Sequence, residues 1–195
     1  MNKITKFLAL IGSFFISNAA FAHSAQTESI SFLSGFLHPI MGWDHLLTLL
    51  LVSFWSVFVL KKVWLGPIMF MGGILLGILL GLAQYALVWF EIGISISIIG
   101  MGVLIYFNQR FNFNIVIALL AVFGIFHGYA HSEILGNAYA TNSDIIIDLC
   151  GLLVSTSLLH SIGLFFGKKA YDLNFPLHRS VGISAAFIGF GTMTF

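Results

Sequence analysis

From Phe36 onward the chain is a succession of apolar runs about 20 residues long, with charges gathered at or near their ends. A run of that length, wound as a helix, spans the hydrocarbon core of a bilayer, where backbone groups must bond internally. Six such runs are read: 36–60, 63–84, 86–107, 111–131, 144–167 and 178–195. The chain is 59% hydrophobic and 8% charged, with a mean hydropathy of +1.03. That is too little charge to cover a water-facing surface, since soluble domains carry about 25%. The expected fold is all-α: one polytopic membrane domain of six helices over residues 23–195, with no separate soluble domain.

The first 22 residues read as a secretory signal peptide. Lys3 and Lys6 form a basic start, Phe7 to Ile16 a short apolar core, and Ala20-Phe21-Ala22 an A-x-A cleavage pattern. Cleavage after Ala22 puts the mature N-terminus in the periplasm with His23 at its tip. The six runs then alternate across the bacterial inner membrane. Lys61, Lys62, Arg110, Lys168, Lys169 and Arg179 all fall on the cytoplasmic side, as the positive-inside rule requires. Glu28, Asp44, Glu91, Glu133, Asp144 and Asp148 fall at or near the outer ends, where an acidic mouth concentrates cations. Runs one to three and four to six have opposite orientation, which permits a 3+3 inverted repeat.

Two clusters carry the chemistry. The first is His38-Pro39-Ile40-Met41-Gly42-Trp43-Asp44-His45 and the second Phe126-His127-Gly128-Tyr129-Ala130-His131-Ser132-Glu133. Imidazole and carboxylate are costly in lipid, so they face a pathway or a partner. Together they are also a donor set for borderline divalent metals. On one continuous helix, His38 and His45 are seven apart and share a stripe. Pro39 suits a first helical turn, which would set His38 at the helix start. Gly42 allows close approach. His127 and His131, four apart, share a face, and a helix ending just beyond them would let Glu133 bend inward. The candidate metal ligands are therefore His38, Asp44, His45, His127, His131 and Glu133, with Asp44 alternatively orienting a histidine from behind.

His23, with its α-amine and imidazole, and Asp144 and Asp148, one turn apart, are candidates for capturing the ion; acids also suit a helix N-terminus. His160 is read either as an inner relay or as an interhelical hydrogen bond. Glu91 is a mouth or interfacial residue and His178 a structural one. Gly73, Gly77 and Gly81 form a small face that lets helices approach closely. Cys150 stands alone, which rules out an internal disulfide and a four-thiolate zinc site. No glycine-rich phosphate loop or basic stripe suggests ATP hydrolysis or nucleic-acid binding.

The His38-x5-Asp44-His45 pattern and the second cluster resemble the motifs of the HupE/UreJ family of nickel permeases, and the likeness extends to the leader, His23 and the six-span layout. The resemblance implies uptake of Ni²⁺ for hydrogenase or urease maturation, with His38, Asp44, His45, His127 and His131 at the family's functional positions. The common family form has Gly after the second histidine and Glu three residues beyond it. Here Ser132 stands at the glycine's place and Glu133 comes one position early.

The expected activity is secondary transport of Ni²⁺, with Co²⁺ as a further candidate ion. The metal is cargo rather than a prosthetic group, the surroundings are membrane lipid, and no enzyme activity or ATPase partner is expected. The alternatives are a membrane-embedded zinc-dependent hydrolase, with three imidazoles and a carboxylate around one ion and its water, and a sensor or assembly partner without transport. Protons compete with the cation for imidazole lone pairs. Uptake is therefore expected to fall as the outside is acidified; initial rates that stay level or rise in acid would contradict it.

Overall fold

In the computed structural model, residues 30–107, 112–136, 141–172 and 177–193 are described. They form seven helices, and no strand occurs among the described residues. In chain order these are α1 (Phe32–Met41), α2 (Trp43–Val59), α3 (Leu65–Leu82), α4 (Phe90–Phe107), α5 (Phe113–Gly136), α6 (Asn142–Asp172) and α7 (Leu177–Thr192). The leader expected over residues 1–22, Glu28 and the candidate capture residue His23 lie outside the described residues, as does Arg110. Four helices, α3 to α6, are long and apolar enough to cross a bilayer, and the pair α1–α2 counted as one span makes five. The sixth run forms α7, whose 16 residues are shorter than a full crossing of about 20.

The first run departs from its expected form. It is two helices bent by 76° about Gly42 rather than one. Gly42 has an extended backbone, φ −74° and ψ 97°, and ends α1 while opening α2. A β-carbon there would sit 3.2 to 3.3 Å from Asp44 Oδ1, His38 O and His45 Nδ1, a tight fit that any larger residue would meet by shifting these groups. Pro39 lies in the last turn of α1, not the first turn of a longer helix. Its ring nitrogen gives no hydrogen bond back along the helix, weakening the turn just before the break. The start of α1 is fixed instead by Ser31, whose hydroxyl accepts from Ser34 N while Ser34 Oγ accepts from Ser31 N.

Glycine contacts set the helix pairs. Without a solvent-driven attraction in lipid, close backbone approach is what holds helices together. The expected small face of α3 packs on α5: Gly73 meets Ala121, Gly77 meets Ile125 and Tyr129, and Gly81 meets Ser132. In return Gly124 and Gly128 of α5 lie against Phe70 and Ile74 of α3. The two helices run parallel. So do α2 and α6, with Leu50 on Gly163 and Phe54 on Gly167, while α1, turned by the bend, crosses α6 with Gly35 on Asp148 and Phe32 on Gly151. Phe58 and Tyr171 close that interface at the end bearing Lys61, Lys62, Lys168 and Lys169, their ring centres 5.7 Å apart. Helices α4 and α7 pair antiparallel through Gly102 and Gly182 and a hydrogen bond from Thr192 Oγ1 to Ser95 Oγ. Large apolar side chains such as Leu79, Phe107, Ile115, Phe165 and Phe187 remain exposed, as suits a lipid-facing surface.

The α3–α5 contact matters most for the site, because it fixes the rotation of the helix bearing His127 and His131. A β-carbon at Gly128 would collide with the Ile74 backbone, whereas one at Gly72 meets nothing within 4 Å. Gly128→Ala is expected to cost about 3 kcal/mol by overpacking. Thermal unfolding in detergent would show this as a lowered midpoint for Gly128→Ala beside an unchanged one for Gly72→Ala.

A buried histidine cluster at a broken helix

The bend at Gly42 turns the two halves of the first run toward a common point. His38, on the last turns of α1, and His45, on the first turn of α2, do not share the helical stripe expected of them. They meet across the break, ring centres 5.4 Å apart. His131 of α5 enters from the opposite side, 4.5 Å from His38 and 4.8 Å from His45, and His127, one turn back along α5, lies 4.9 Å from His45. Four of the six ligand candidates thus come together. His45, His127 and His131 are buried and His38 is half-buried.

One nitrogen from each of His38, His45 and His131 lies within 4.8 Å of the other two. A first-row divalent ion holds imidazole nitrogen at about 2.0–2.1 Å, so nitrogens around one ion are at most about 4.2 Å apart. Three nitrogens sharing one ion sit about 3 to 3.6 Å apart, so an inward movement of the rings of about 1 Å would turn the observed arrangement into a three-nitrogen cradle.

Hydrogen bonds decide which nitrogens are free to bind. Asp44 Oδ1 lies 3.1 Å from His45 Nδ1. A carboxylate accepts, so Nδ1 carries the proton and the lone pair is left on Nε2, which is buried without a hydrogen-bond partner. Asp44 therefore stands behind His45 and fixes its tautomer. Its own backbone carbonyl accepts from Thr48 Oγ1 at 2.8 Å. His127 follows the same logic with the nitrogens exchanged. Ser97 of α4 donates to Ile94 O at 2.6 Å, and its oxygen lies 2.8 Å from His127 Nε2. With the serine proton committed to a carbonyl, Nε2–H of His127 donates to Ser97, leaving a bare Nδ1 that is also buried and unpartnered. Nε2 of His131 is a third such nitrogen.

The remaining candidates lie apart from these rings. Helix α5 does not end beyond His131 but runs on to Gly136, so Glu133 stays on the helix with an exposed side chain rather than bending inward. Ser132, where the family pattern has glycine, is buried against Gly81, and its hydroxyl donates to Tyr129 O. Asp144 accepts from the Thr141 hydroxyl and amide at the start of α6. Asp148 accepts from Ser34 Oγ at 2.7 Å, tying α6 to α1. Glu91 is exposed in the first turn of α4, and His178 is half-buried in the first turn of α7. Two clefts of about 350 and 380 Å³ are lined by residues such as Val57, Trp64, Phe165, Leu153 and Leu158, and by none of the histidines.

Sequence reasoning passed over Ser97 and Phe70. Ser97 sits in the run Ile94-Ser95-Ile96-Ser97-Ile98, where a serine signals nothing by itself. Phe70 is fully buried with its ring centre 5.5 Å from that of His127, and no pattern distinguishes it from the other 20 phenylalanines.

These features define a multi-pass helical membrane protein with imidazoles converging on a broken helix in its interior. The chain matches the family model described as HupE / UreJ protein over residues 10–192. It is also 30% identical over 173 residues to Protein HupE of Rhizobium leguminosarum bv. viciae, with 86% of each chain covered. The chain belongs to the HupE/UreJ family. No solved structure matches it.

The assigned tautomer of His127 is open to test. In the ¹⁵N spectrum of histidine-labelled protein, Nε2 of His127 is expected to be protonated and Nδ1 bare. Ser97→Ala is expected to mix the two forms and to weaken cation binding about ten-fold, the scale at which a partner behind a ligand acts. An unchanged spectrum in the variant would remove Ser97 from the site.

Proposed function

We propose that this protein is a secondary permease that takes up Ni²⁺ across the bacterial inner membrane to supply hydrogenase or urease maturation, with Co²⁺ the next candidate ion. One observation carries the reading: three imidazole nitrogens within 4.8 Å of one another, drawn from two half-helices and a third helix, inside an apolar bundle. Soft-to-borderline nitrogen donors suit Ni²⁺ and its neighbours better than Mg²⁺ or Ca²⁺. His38, His45 and His131 replace part of the ion's water shell, His127 extends the donor set inward, and Asp44 holds His45 in its binding tautomer. Exposed acids at the outer ends, Glu91 and Glu133 among them, gather the hydrated cation. A transport site binds tightly enough to strip water and loosely enough to release. Three imidazoles with one carboxylate in support fit that requirement.

The leader over residues 1–22, the periplasmic mature N-terminus and capture at His23 belong to the same reading, supported by the agreement of the cleavage pattern with the placement of the bases. Helix pairing supports the inverted repeat. Exchanging the two halves of the chain turns the α3–α5 pair into the pair of α6 with the bent span, and returns the α4–α7 pair to itself. The hydrolase alternative needs a general base beside the ion, and the carboxylate bonded to the cluster, Asp44, is already engaged by His45.

Purified protein in liposomes loaded with a nickel-sensitive dye tests the reading directly. Parent protein is expected to pass Ni²⁺ without ATP. His38→Ala, Asp44→Ala and His127→Ala are each expected to lower the initial rate at least about ten-fold while the protein still inserts. Normal rates in all three variants would refute the proposed site.

A further inference from the structure

Among the described residues, His160 is the buried titratable group that this site does not use. It sits on α6, 1% exposed, and faces α2. Its Nδ1 lies 2.7 Å from Ser53 Oγ and 3.1 Å from Leu49 O. A backbone carbonyl only accepts, so Nδ1 carries the proton and Nε2 holds the lone pair. That Nε2 is buried without a hydrogen-bond partner. A ring kept only to join α2 to α6 needs Nδ1 alone. A bare nitrogen buried beyond it loses its water and gains nothing in exchange.

The ring's position supplies a reason. Phe70 of α3 touches both sets of histidines, its ring centre 5.5 Å from that of His127 and 6.0 Å from that of His160. A succession of ring contacts therefore runs from His38 through His131, His45, His127 and Phe70 to His160. Beyond His160, α6 continues toward the end that bears Lys168 and Lys169. His45 and His160 are also prepared alike, with Nδ1–H held by a fixed acceptor and Nε2 bare.

We infer that Nε2 of His160 is an inner binding station for a borderline divalent cation, receiving the ion from the outer imidazole cluster past the Phe70 ring. The inference rests on the permease reading above and deepens it. One protein nitrogen holds an ion weakly, and a weak inner site favours release over return.

Asparagine separates the two roles of this ring, because its amide N–H takes the place of Nδ1–H while nothing takes the place of Nε2. The experiment pairs Ni²⁺ flux in proteoliposomes with Ni²⁺ binding to the full chain in detergent, for the parent, His160→Asn and His160→Ala. His160→Asn is expected to bind Ni²⁺ at the outer cluster with unchanged affinity and to lose at least about ten-fold in flux. Parent-like flux in His160→Asn overturns the inner station and leaves the permease standing, whether or not His160→Ala fails to fold. A matched loss of binding and flux in His160→Asn also overturns it, since the ring would then only be supporting the outer cluster. A parent that carries no Ni²⁺ overturns the permease reading, and the station with it.

Discussion

An imidazole buried away from water must settle which nitrogen keeps the proton, and that constraint organises the interior of this protein. Each ring with a described hydrogen bond is held by an oxygen at one nitrogen: His45 by its neighbour Asp44, and, from other helices, His127 by Ser97 and His160 by Leu49 and Ser53. In every case the other nitrogen is left bare and without a partner. A lone pair fixed in place by its opposite edge loses little freedom when a cation arrives. The same arrangement would be wasteful in a core that merely packs, because each bare nitrogen gives up its hydration with nothing in return.

The backbone meets this constraint through glycine. Gly42 breaks the first run so that residues seven apart face each other across a bend, which a straight helix does not allow. Gly73, Gly77, Gly124 and Gly128 bring α3 and α5 into backbone contact and so set the rotation of His127 and His131. Asp44 and Ser97 then act on rings whose positions are already decided. Chemistry and packing are separable here. The residues that bond to the rings are polar and few, while those that place the helices are glycines.

Much of this could be read from the chain. The apolar runs gave the helices to within several residues, because a bilayer imposes both length and composition. Glycines at four-residue spacing foretold the face of α3 that packs. The clusters pointed to His38, His45, His127 and His131, since groups this costly in lipid seldom occur without cause. The bend escaped notice because Pro39 and Gly42 are tolerated in membrane helices often enough that neither forces a break. The continuation of α5 past His131 escaped because Ser132 and Glu133 weaken the apolar pattern without stopping the helix. Ser97 and Phe70 escaped for a different reason. Their part depends on which helices become neighbours, and α4 and α3 reach the histidines only through the bundle's pairing.

Helix α6 is 31 residues long, roughly 46 Å at 1.5 Å per residue, well beyond a hydrocarbon core of about 30 Å. It runs unbroken beside both pieces of the bent span, touching α1 at Gly35 and Gly151 and α2 at Gly163 and Gly167. It therefore serves as a splint across the fracture at Gly42. The angle between the two pieces cannot open unless one of them peels off this rod, and α1, though the shorter, is packed on it as extensively as α2 and is tied by the Ser34–Asp148 bond. Any motion that spreads His38 away from His45 is thereby tied to the seating of α1 on the first turns of α6.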